Sequence, residues 1–374
     1  MRLQLHWRLP THGDGRVLNP GTWNRGDYAA DRRQPHVFAR TGVQRDGFTY
    51  LDLLTQIARA AELSGFDSLW IPHTAAGEET QVLASALARD ARRLHFVPAL
   101  FTPLLSAVYS AKIANSFQRL SGGRLDWNFV FDGTPPPRPW YGRSFSLADQ
   151  IARTDEFLTV AKGFWNDAPF TWQGRFYEVE NGGFPQALQG QRLPTIHVSG
   201  DHDDALALSA RHADVHVLPV LPLPEVRERI ARLDALAAAQ GRRIAYALEA
   251  DIVVRHSDDA AWSELRRQWS QARQRTVSIS GPEAGEGESD DFDSARLTDN
   301  LWSGFSSLRP GGPNGLVGSY VSVADRLAEY VDAGIDSLVL SSPPHLEEAY
   351  RFGEFVVPRL RARAASRIAI PAAA

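Results

Sequence analysis

The chain has 374 residues, of which 43% are hydrophobic and 22% charged, and its formal net charge is −4. This size is sufficient for one large core or for two domains. The small negative charge does not favour nucleic-acid binding, and the absence of cysteine excludes disulfides, thiolate metal sites and cysteine nucleophiles. The first residues lack a signal-peptide pattern and no apolar run approaches membrane-spanning length, so we expect a cytoplasmic protein without membrane contact.

Strand-like and helix-like segments alternate along most of the chain. Leu3–Leu9 has the pattern of a first strand, Tyr50–Leu63 repeats apolar residues at helical spacing, and Gly65 is well placed to end that helix. The further predicted strands are Asp67–Pro72, Leu94–Phe101, Leu125–Phe131, Thr195–Ser199, Val215–Pro219, Ala245–Val254 and Ser337–Ser341. The further predicted helices are Ala107–Leu120, Ile151–Trp165, Asp203–His212, Glu225–Gln240, Asp259–Arg273 and Val323–Ala333.

This alternation predicts the fold class α/β and the architecture of a (β/α)8 TIM barrel. Eight strands separated by helices require parallel pairing with crossover connections. A short internal repeat agrees, because Ala61–Pro72 and Glu329–Ser341 both run from a helix through glycine and Asp-Ser into a buried strand. We predict one domain over residues 1–374, interrupted by two long insertions at 11–47 and 276–318.

The second insertion has the composition of a lid. Asn300–Tyr320, reading NLWSGFSSLRPGGPNGLVGSY, places Arg309 in a loop rich in glycine and proline. A mobile loop with a fixed positive charge indicates a small anionic substrate or a phosphate-bearing cofactor, and chemistry that must be shielded from water. The acidic run Glu283–Asp293 in the same insertion is typical of a solvated face.

Active sites of such barrels lie at the carboxyl ends of the strands. Ser199-Gly200 follows a strand and precedes a helix, an arrangement that favours phosphate binding, although these residues are also good helix caps. The loop before Val323 is a second possible phosphate position. Other polar residues at or just beyond strand ends are His12, His73, Thr102, Asn128, Glu249, Asp251 and His345.

Glu249 and Asp251 lie two residues apart and therefore on one face of a strand. They suit a general acid/base pair or part of a metal site, or they are solvated carboxylates, one of them paired with Arg309. The sequence around them has no HxH or ExxH spacing, so we predict no metal. His12 and His345 suit proton donation, anion contact or helix capping.

Five segments resemble the FMNH2-dependent alkanesulfonate monooxygenases of the bacterial luciferase-like flavin superfamily. They are Leu5–Gly15 (LHWRLPTHGDG), Gly65–Pro72 (GFDSLWIP), Arg119–Val130 (RLSGGRLDWNFV), Asn300–Gly312 (NLWSGFSSLRPGG) and Leu316–Glu354 (LVGSYVSVADRLAEYVDAGIDSLVLSSPPHLEEAYRFGE). The resemblance extends over nearly the whole chain.

The resemblance implies a two-component flavin monooxygenase. Reduced FMN comes from a separate NAD(P)H-dependent flavin reductase, O2 forms a C4a-peroxy adduct, and the alkanesulfonate is cleaved to sulfite and an aldehyde, as in sulfur metabolism. Such relatives commonly form homodimers or homotetramers. The resemblance matches Arg309, His12 and His345 to residues of the family's catalytic site, and Ser199 and Gly200 to its FMN phosphate position. From their positions at strand ends we predict further cofactor contacts by Asn128 and Thr102, and substrate-side positions for Glu249, Asp251 and His73.

The chain departs from the family pattern near the expected substrate. Gly77 stands near the position of the family's cysteine, Pro343 replaces a tyrosine, and Glu249 to Asp251 replace an Arg-x-His pattern. Leu147 and Ile151 stand near a family histidine and tyrosine. Because two positive positions become negative, we expect a neutral, polyhydroxylated or cationic substrate rather than a simple sulfonate.

Three other functions fit the sequence. The first is a barrel of the same superfamily that transfers hydride with a deazaflavin. The second is a non-catalytic flavin-binding protein. The third is a metal-dependent deaminase or hydrolase that uses Glu249 and Asp251.

Overall fold

A ring of eight parallel strands organises the computed structural model, which describes residues 2–11, 49–73, 77–131, 145–280, 292–308 and 312–368. The strands are β1 Gln4–Arg8, β2 Ser68–Ile71, β3 His95–Leu100, β4 Trp127–Phe129, β5 Phe170–Gln173, β6 Glu178–Gly182, β7 Ile196–Ser199, β8 Val215–Pro219, β9 Ala245–Arg255, β10 Leu301–Trp302, β11 Gly315–Ser319 and β12 Ser337–Ser341. The ring order is β1-β2-β3-β4-β7-β8-β9-β12, which returns to β1. This confirms the predicted (β/α)8 barrel.

Helices follow most of the ring strands. They are α1 Tyr50–Leu63, α2 Thr80–Leu87, α3 Ala107–Ser121, α4 Leu147–Asn166, α5 Asp203–His212, α6 Leu223–Ala239, α7 Asp258–Ser280, α8 Phe305–Leu308, α9 Tyr320–Asp332, α10 His345–Phe355 and α11 Val357–Ile368. No helix within the described ranges is both long and apolar enough to cross a membrane.

The predicted helix Tyr50–Leu63 is confirmed with both of its ends. Thr49 caps it through a capping box with Asp52. Gly65 adopts a φ of +85°, and its N–H donates to the carbonyl of Glu62 at 3.3 Å. This left-handed conformation carries little cost for glycine, so the helix ends where the sequence predicts.

Several elements were missed by the sequence analysis. Among them are the short helix α2, the antiparallel hairpin β5–β6 and the last helices, α10 and α11. The hairpin is held by α4, because the carboxylate of Glu156 accepts the backbone N–H groups of Arg175, Phe176 and Tyr177 at distances of 2.8–3.1 Å. A partly buried carboxylate that accepts consecutive N–H groups fixes a turn that the local sequence does not specify.

The chain divides into two compact units. The first contains Met1–Leu69, Pro219–Glu228 and Leu248–Ala374, and the second contains Trp70–Leu218 and Arg229–Ala247. In the first unit, the predicted lid insertion 276–318 includes ordered elements. Helix α7 continues to Ser280, beyond the predicted end at Arg273, and β11 pairs in parallel with β9.

An aromatic cluster joins residues 292–308 to α7 in the first unit. Trp302 is 1% exposed, its ring centroid lies 5.2 Å from that of Phe292, and its Nε1 donates to the Phe292 carbonyl at 2.9 Å. Arg296 covers Trp262 of α7 at 4.5 Å, and Arg266 of α7 covers Phe292 at 4.7 Å. Aromatic packing with cation–π contacts therefore anchors this segment to the helix.

Candidate active site

In the first unit, the alternation of side chains along β1 separates a helix-facing side from an inner side. Trp7 packs on Phe66, with ring centroids 5.0 Å apart, and Phe66 in turn contacts Phe352 of α10. His6 and Arg8 therefore point to the opposite, inner face. His6 is 3% exposed, and its Nδ1 forms a short hydrogen bond with Ser68 Oγ on β2.

The same alternation on β9 places Glu249 on its inner face. In the second unit, Tyr246, at the start of β9, donates its hydroxyl proton to Asp234 of α6 at 2.7 Å, so the even-numbered residues face the helices. In the first unit, Nε of Arg8 lies 3.6 Å from Oε1 of Glu249, with side-chain exposures of 14% and 25%. Strand β12 lies between β1 and β9 in the ring, so this ion pair spans β12 on its inner face.

Asp251 and His345 lie near this ion pair in the fold. Asp251 follows Glu249 by two residues on β9 and is 1% exposed. Nε2 of His345 lies 3.4 Å from Ser341 Oγ at the end of β12, and its ring meets the ring of Trp7 edge-on at 6.4 Å. His345 is thus fixed between the end of β12 and β1, at the first position of α10.

A charge network around the buried Glu348 lies at the carboxyl end of β9. Arg255 lies 3.3 Å from Glu348 of α10 and 3.4 Å from Glu264 of α7. Arg351 forms a second, short ion pair with Glu348. Burial raises the pKa of Glu348, against the opposing effect of the two arginines. The network ties α7 and α10 to the carboxyl end of the strand that carries Glu249.

The N-terminus of α9, a phosphate position suggested by the sequence, is occupied by a carboxylate of the protein. Oδ1 of Asp258 accepts the Ser319 N–H and the Ser322 hydroxyl, both at 2.6 Å. The Ser322 hydrogen bond and the Ser319 N–H lower the pKa of Asp258. A phosphate at this helix end would have to displace Asp258.

In the second unit, Asn128 lies on the inner face of β4. Its neighbours Trp127 and Phe129 pack on Phe157 of α4, with centroids 6.3 and 5.6 Å away, so Asn128 points the other way. Asn128 is 2% exposed, and among the described residues its Oδ1 has no hydrogen-bond partner. A buried amide acceptor of this kind is costly unless a ligand or water donates to it.

His197 on β7 stands beside Asn128, since the two residues are register partners. Its ring contacts Trp70 edge-on at 5.3 Å, and its Nδ1 lies 3.2 Å from the Trp127 carbonyl. Burial lowers the pKa of His197, with a smaller opposing effect from Asp126. The imidazole of His197, beside Asn128, is therefore favoured in its neutral form.

The turn after β7 contains Ser199-Gly200, the phosphate position that the sequence predicts. Gly200 adopts a φ of +123°, and a Cβ there would lie 3.0 Å from the Cβ of Ala205. Helix α5 begins at once, and its N-cap makes no side-chain hydrogen bond. Its first turn is acidic. Arg232 pairs with Asp203 of this turn at 2.5 Å, and Arg229 lies 3.5 Å from Asp201, which precedes the helix. The two guanidinium groups therefore offset part of the negative charge.

His73 and Thr102 are both tied to neighbouring side chains in the second unit. His73 stacks on Phe101 with centroids 5.5 Å apart and planes inclined by 7°. Thr102 is 1% exposed, and its hydroxyl is hydrogen bonded to Thr154 of α4 at 2.7 Å. Any cofactor contact by Thr102 would therefore compete with the Thr154 hydroxyl.

Two predicted catalytic residues, Arg309 and His12, lie outside the described residues. The hypothesis that Arg309 pairs with a carboxylate of β9 therefore stays a prediction. Within the described residues, Glu249 pairs with Arg8. The sequence analysis missed Arg8, His197 and Arg229. Arg8 was recognisable as the residue two positions after His6 on the same strand face, but its partner is 241 positions away, counted from 8 to 249.

In enzymes with an eight-stranded parallel barrel the active site lies at the carboxyl ends of the strands, where the polar side chains described above are found. Residues 34–337 match the luciferase-like monooxygenase family. This is more than half of the chain, and the protein belongs to that family, which supports a flavin-dependent monooxygenase.

Solved structures of other proteins share this fold. EDTA monooxygenase from Chelativorans sp. BNC1 has a TM-score of 0.71 at 20% identity, over 99% of this chain and 95% of that chain. Riboflavin lyase, determined with modified FMN and riboflavin, has a TM-score of 0.71 at 18% identity, with coverages of 97% and 92%. An F420-dependent secondary alcohol dehydrogenase, in complex with an F420–acetone adduct, has a TM-score of 0.65 at 14% identity, with coverages of 96% and 99%.

Proposed function

We propose that this protein is the oxygenase component of a two-component system that uses FMNH2 and O2. The family match indicates the class of reaction, and the turn at Ser199-Gly200 is the observation that supports FMN as the cofactor. A glycine at φ +123° before an uncapped helix offers backbone N–H groups to a phosphate, a group that FMN carries. The nearby guanidinium of Arg229 adds positive charge against the acidic first turn of α5.

The buried face around Asn128 suits a flat, polar ring. The Oδ1 atom of Asn128 is an acceptor without a partner among the described residues, and a flavin ring N–H is a matching donor. Reduced FMN supplies the oxygen chemistry once bound, so the protein mainly binds, orients and excludes water. In this proposal Ser199 and Gly200 hold the phosphate, while Asn128 and Thr102 contact the ring system.

The remaining predicted residues act on the substrate side. Arg309 closes over the site and shields it from water, and His12 contributes a proton or an anion contact. His345, held at Nε2 by Ser341, is positioned to hold or move a proton at the end of β12. Glu249 and Asp251 oppose a simple alkanesulfonate, because two carboxylates stand where a sulfonate needs cations.

The first test is an anaerobic titration with FMN and with FMNH2, monitored by flavin fluorescence and absorbance, followed by admission of O2. We expect much tighter binding of the reduced form and a transient flavin absorbance that matches neither reduced nor oxidised FMN. Absence of binding in both redox states would overturn the proposal. The Asn128→Leu variant, which removes the buried acceptor, should weaken FMNH2 binding by about tenfold.

A deazaflavin-dependent oxidoreductase is the second candidate, favoured by the structural similarity to an F420-dependent alcohol dehydrogenase. Reduced F420 titrated under the same conditions distinguishes the two. Tight binding of F420 together with weak binding of FMNH2 would select hydride transfer.

The proposed system includes further partners. An NAD(P)H-dependent flavin reductase supplies the reduced FMN, and the oxygenase forms a homodimer or homotetramer in the cytoplasm. Size-exclusion chromatography with light scattering measures the assembly. Turnover in the presence and absence of an added flavin reductase with NADH tests the two-component scheme.

A further inference from the structure

In the second unit, one arginine of α4 faces three aromatic rings. Arg153 lies in the second turn of the helix, and its Nε donates at 3.2 Å to the carbonyl of Thr102, just beyond the carboxyl end of β3. Its guanidinium carbon lies 4.9 Å from the ring centroid of Tyr177, 5.6 Å from that of Phe176 and 5.9 Å from that of Phe145. The rings hold the guanidinium in place and leave the residue partly buried.

Helix α4 also holds the hairpin turn that carries two of these rings. Glu156 accepts the backbone N–H groups of Phe176 and Tyr177 at 3.0 and 2.8 Å. Asp149, one helical turn before Arg153, pairs with Arg175 of the same hairpin at 2.8 Å. The two carboxylates of α4 on this side of the helix therefore bind groups of the hairpin.

Within the described residues, Arg153 has no ion-pair partner. Asp155, the carboxylate nearest in sequence, pairs with His212 at 2.8 Å and with Arg211 at 3.3 Å. Burial raises the pKa of Tyr177 to about 12, against the opposing effect of Arg153, so its hydroxyl is neutral at pH 7 and does not balance the charge. A partly buried guanidinium without a counter-ion carries a desolvation cost that a bound anion would offset.

The guanidinium also keeps hydrogen-bonding capacity for a ligand. Of its five N–H donors, the Nε–H binds the Thr102 carbonyl and a second bonds to the Tyr177 hydroxyl. The remaining donors are sufficient for a bidentate contact with a carboxylate. Thr102 follows the carboxyl end of a barrel strand, which is where enzymes of this fold bind their substrates.

We propose that Arg153 binds a carboxylate group of the substrate. This inference rests on the proposed function and names the substrate class of that same site. It places the anionic group at Arg153 and not at β9, where Glu249 and Asp251 disfavour an anion. Arg153 is a specificity-determining residue, because its charge favours a carboxylate over an uncharged group of the same shape.

The test compares hexanoate with hexanamide, two probes of similar shape that differ in charge. Their affinities are measured by isothermal titration calorimetry at pH 7 without flavin. We expect the wild-type protein to bind hexanoate about tenfold more tightly than hexanamide. Arg153→Gln should remove this preference, and Arg153→Lys should reduce it severalfold, because lysine keeps the charge but loses the planar pair of donors.

Arg175→Gln is the matched control. It removes the same charge from a neighbouring arginine that also covers Phe176, at 4.6 Å, but that is paired with Asp149. This variant should retain the tenfold preference for hexanoate. If Arg153→Gln does not fold, Arg153→Lys compared with Arg175→Lys decides the question, since only the former should lose preference.

The wild-type protein lacking a preference for hexanoate, or equal losses in the Arg153 and Arg175 variants, would overturn the inference. The phosphate of FMN is another possible anion, so FMNH2 and reduced riboflavin are titrated anaerobically with the wild type and Arg153→Gln. We expect the ratio of the two flavin affinities to be unchanged in the variant. A selective loss of FMNH2 affinity would instead assign Arg153 to the cofactor phosphate and reject the substrate carboxylate.

The same titrations separate this inference from the proposed function. FMNH2 binding by a wild-type protein that does not prefer hexanoate rejects only the carboxylate assignment. Preference for hexanoate without FMNH2 binding rejects the cofactor and supports Arg153 as a carboxylate site.

Discussion

Arg255 and Glu348 form an ion pair of 3.3 Å in which the glutamate side chain is only 2% exposed. The same guanidinium contacts Glu264 at 3.4 Å, so one residue at the end of β9 holds both α7 and α10. The first residue of α10 is His345, and α7 leads into the predicted lid insertion. The orientation of two candidate functional segments therefore depends on one partly buried arginine.

Replacing Arg255 should destabilise the protein strongly. Arg255→Met leaves Glu348 buried with Arg351 as its remaining ion-pair partner in the network, and we expect the free energy of unfolding to fall by about 3 kcal/mol. Urea denaturation followed by circular dichroism measures this change. Arg326→Met, at the partly exposed pair with Glu329, should cost less than about 1 kcal/mol. Equal losses of unfolding free energy in the two variants would contradict the conclusion that Arg255 stabilises the buried Glu348.

The pH dependence of stability should reflect His216. Burial lowers the pKa of His216 from its ordinary value of 6.5 to about 4, and the ring is hydrogen bonded to Ser209 Oγ at 2.8 Å. The folded state therefore favours the neutral ring, so the stabilisation is complete above pH 6.5 and is lost as the pH falls from 6.5 towards 4. A shift of this size corresponds to about 3 kcal/mol.

His216→Asn should flatten this dependence, measured as the difference in unfolding free energy between pH 7.5 and pH 5. The same replacement at the exposed His202 provides the control and should leave the slope as in the wild type. An unchanged slope in His216→Asn would show that another group controls acid sensitivity.

Gly200→Ala should weaken FMNH2 binding. Alanine is strained at φ +123°, and its Cβ would press on Ala205 at 3.0 Å, so the turn must shift. We expect a loss of tenfold or more in affinity, on the order of 1–3 kcal/mol of strain. Gly190→Ala is the matched control, because Gly190 has a φ of +85° and open space around its Cβ position. It should affect stability without changing FMNH2 affinity.

Arg309→Ala should abolish product formation while the protein remains folded, because we propose that the positive charge of Arg309 acts only when the loop is closed over the active site. Thermal unfolding tests the fold, and oxygen consumption coupled to substrate oxidation tests the activity. Normal turnover by Arg309→Ala would reject the lid assignment. FMNH2 titration of the same variant shows whether the loss lies in cofactor binding or in a later step.

The barrel was predictable because each ring strand is a short apolar run bounded by helix ends. The sequence places Tyr50–Leu63, Val215–Pro219 and Ser337–Ser341 with both bounds correct. The short helix Thr80–Leu87 escaped prediction because eight residues hardly show a helical period. Likewise, the hairpin β5–β6 depends on Glu156 of α4, and no local pattern reveals a contact of that range.

The candidate site was predictable only as a set of strand ends. The alternation of side chains along a strand predicts that Glu249 and Asp251 share one face of β9, and the glycine turn after Ser199 was recognisable from its sequence. The partner of Glu249 was not, because the Arg8 pairing arises from ring closure. The buried acceptor of Asn128 and the neutral character of His197 likewise follow from packing between strands that are far apart in sequence.

The aromatic cluster around Trp302 has a consequence for variation in this protein. Phe292 and Trp302 belong to the same buried cluster as Val253 of β9 and Leu265 of α7. A substitution that reduces the volume of Trp302 therefore leaves a cavity that strand β9 and helix α7 share. Because β9 also carries Glu249, a change within residues 292–308 reaches the candidate site through packing alone.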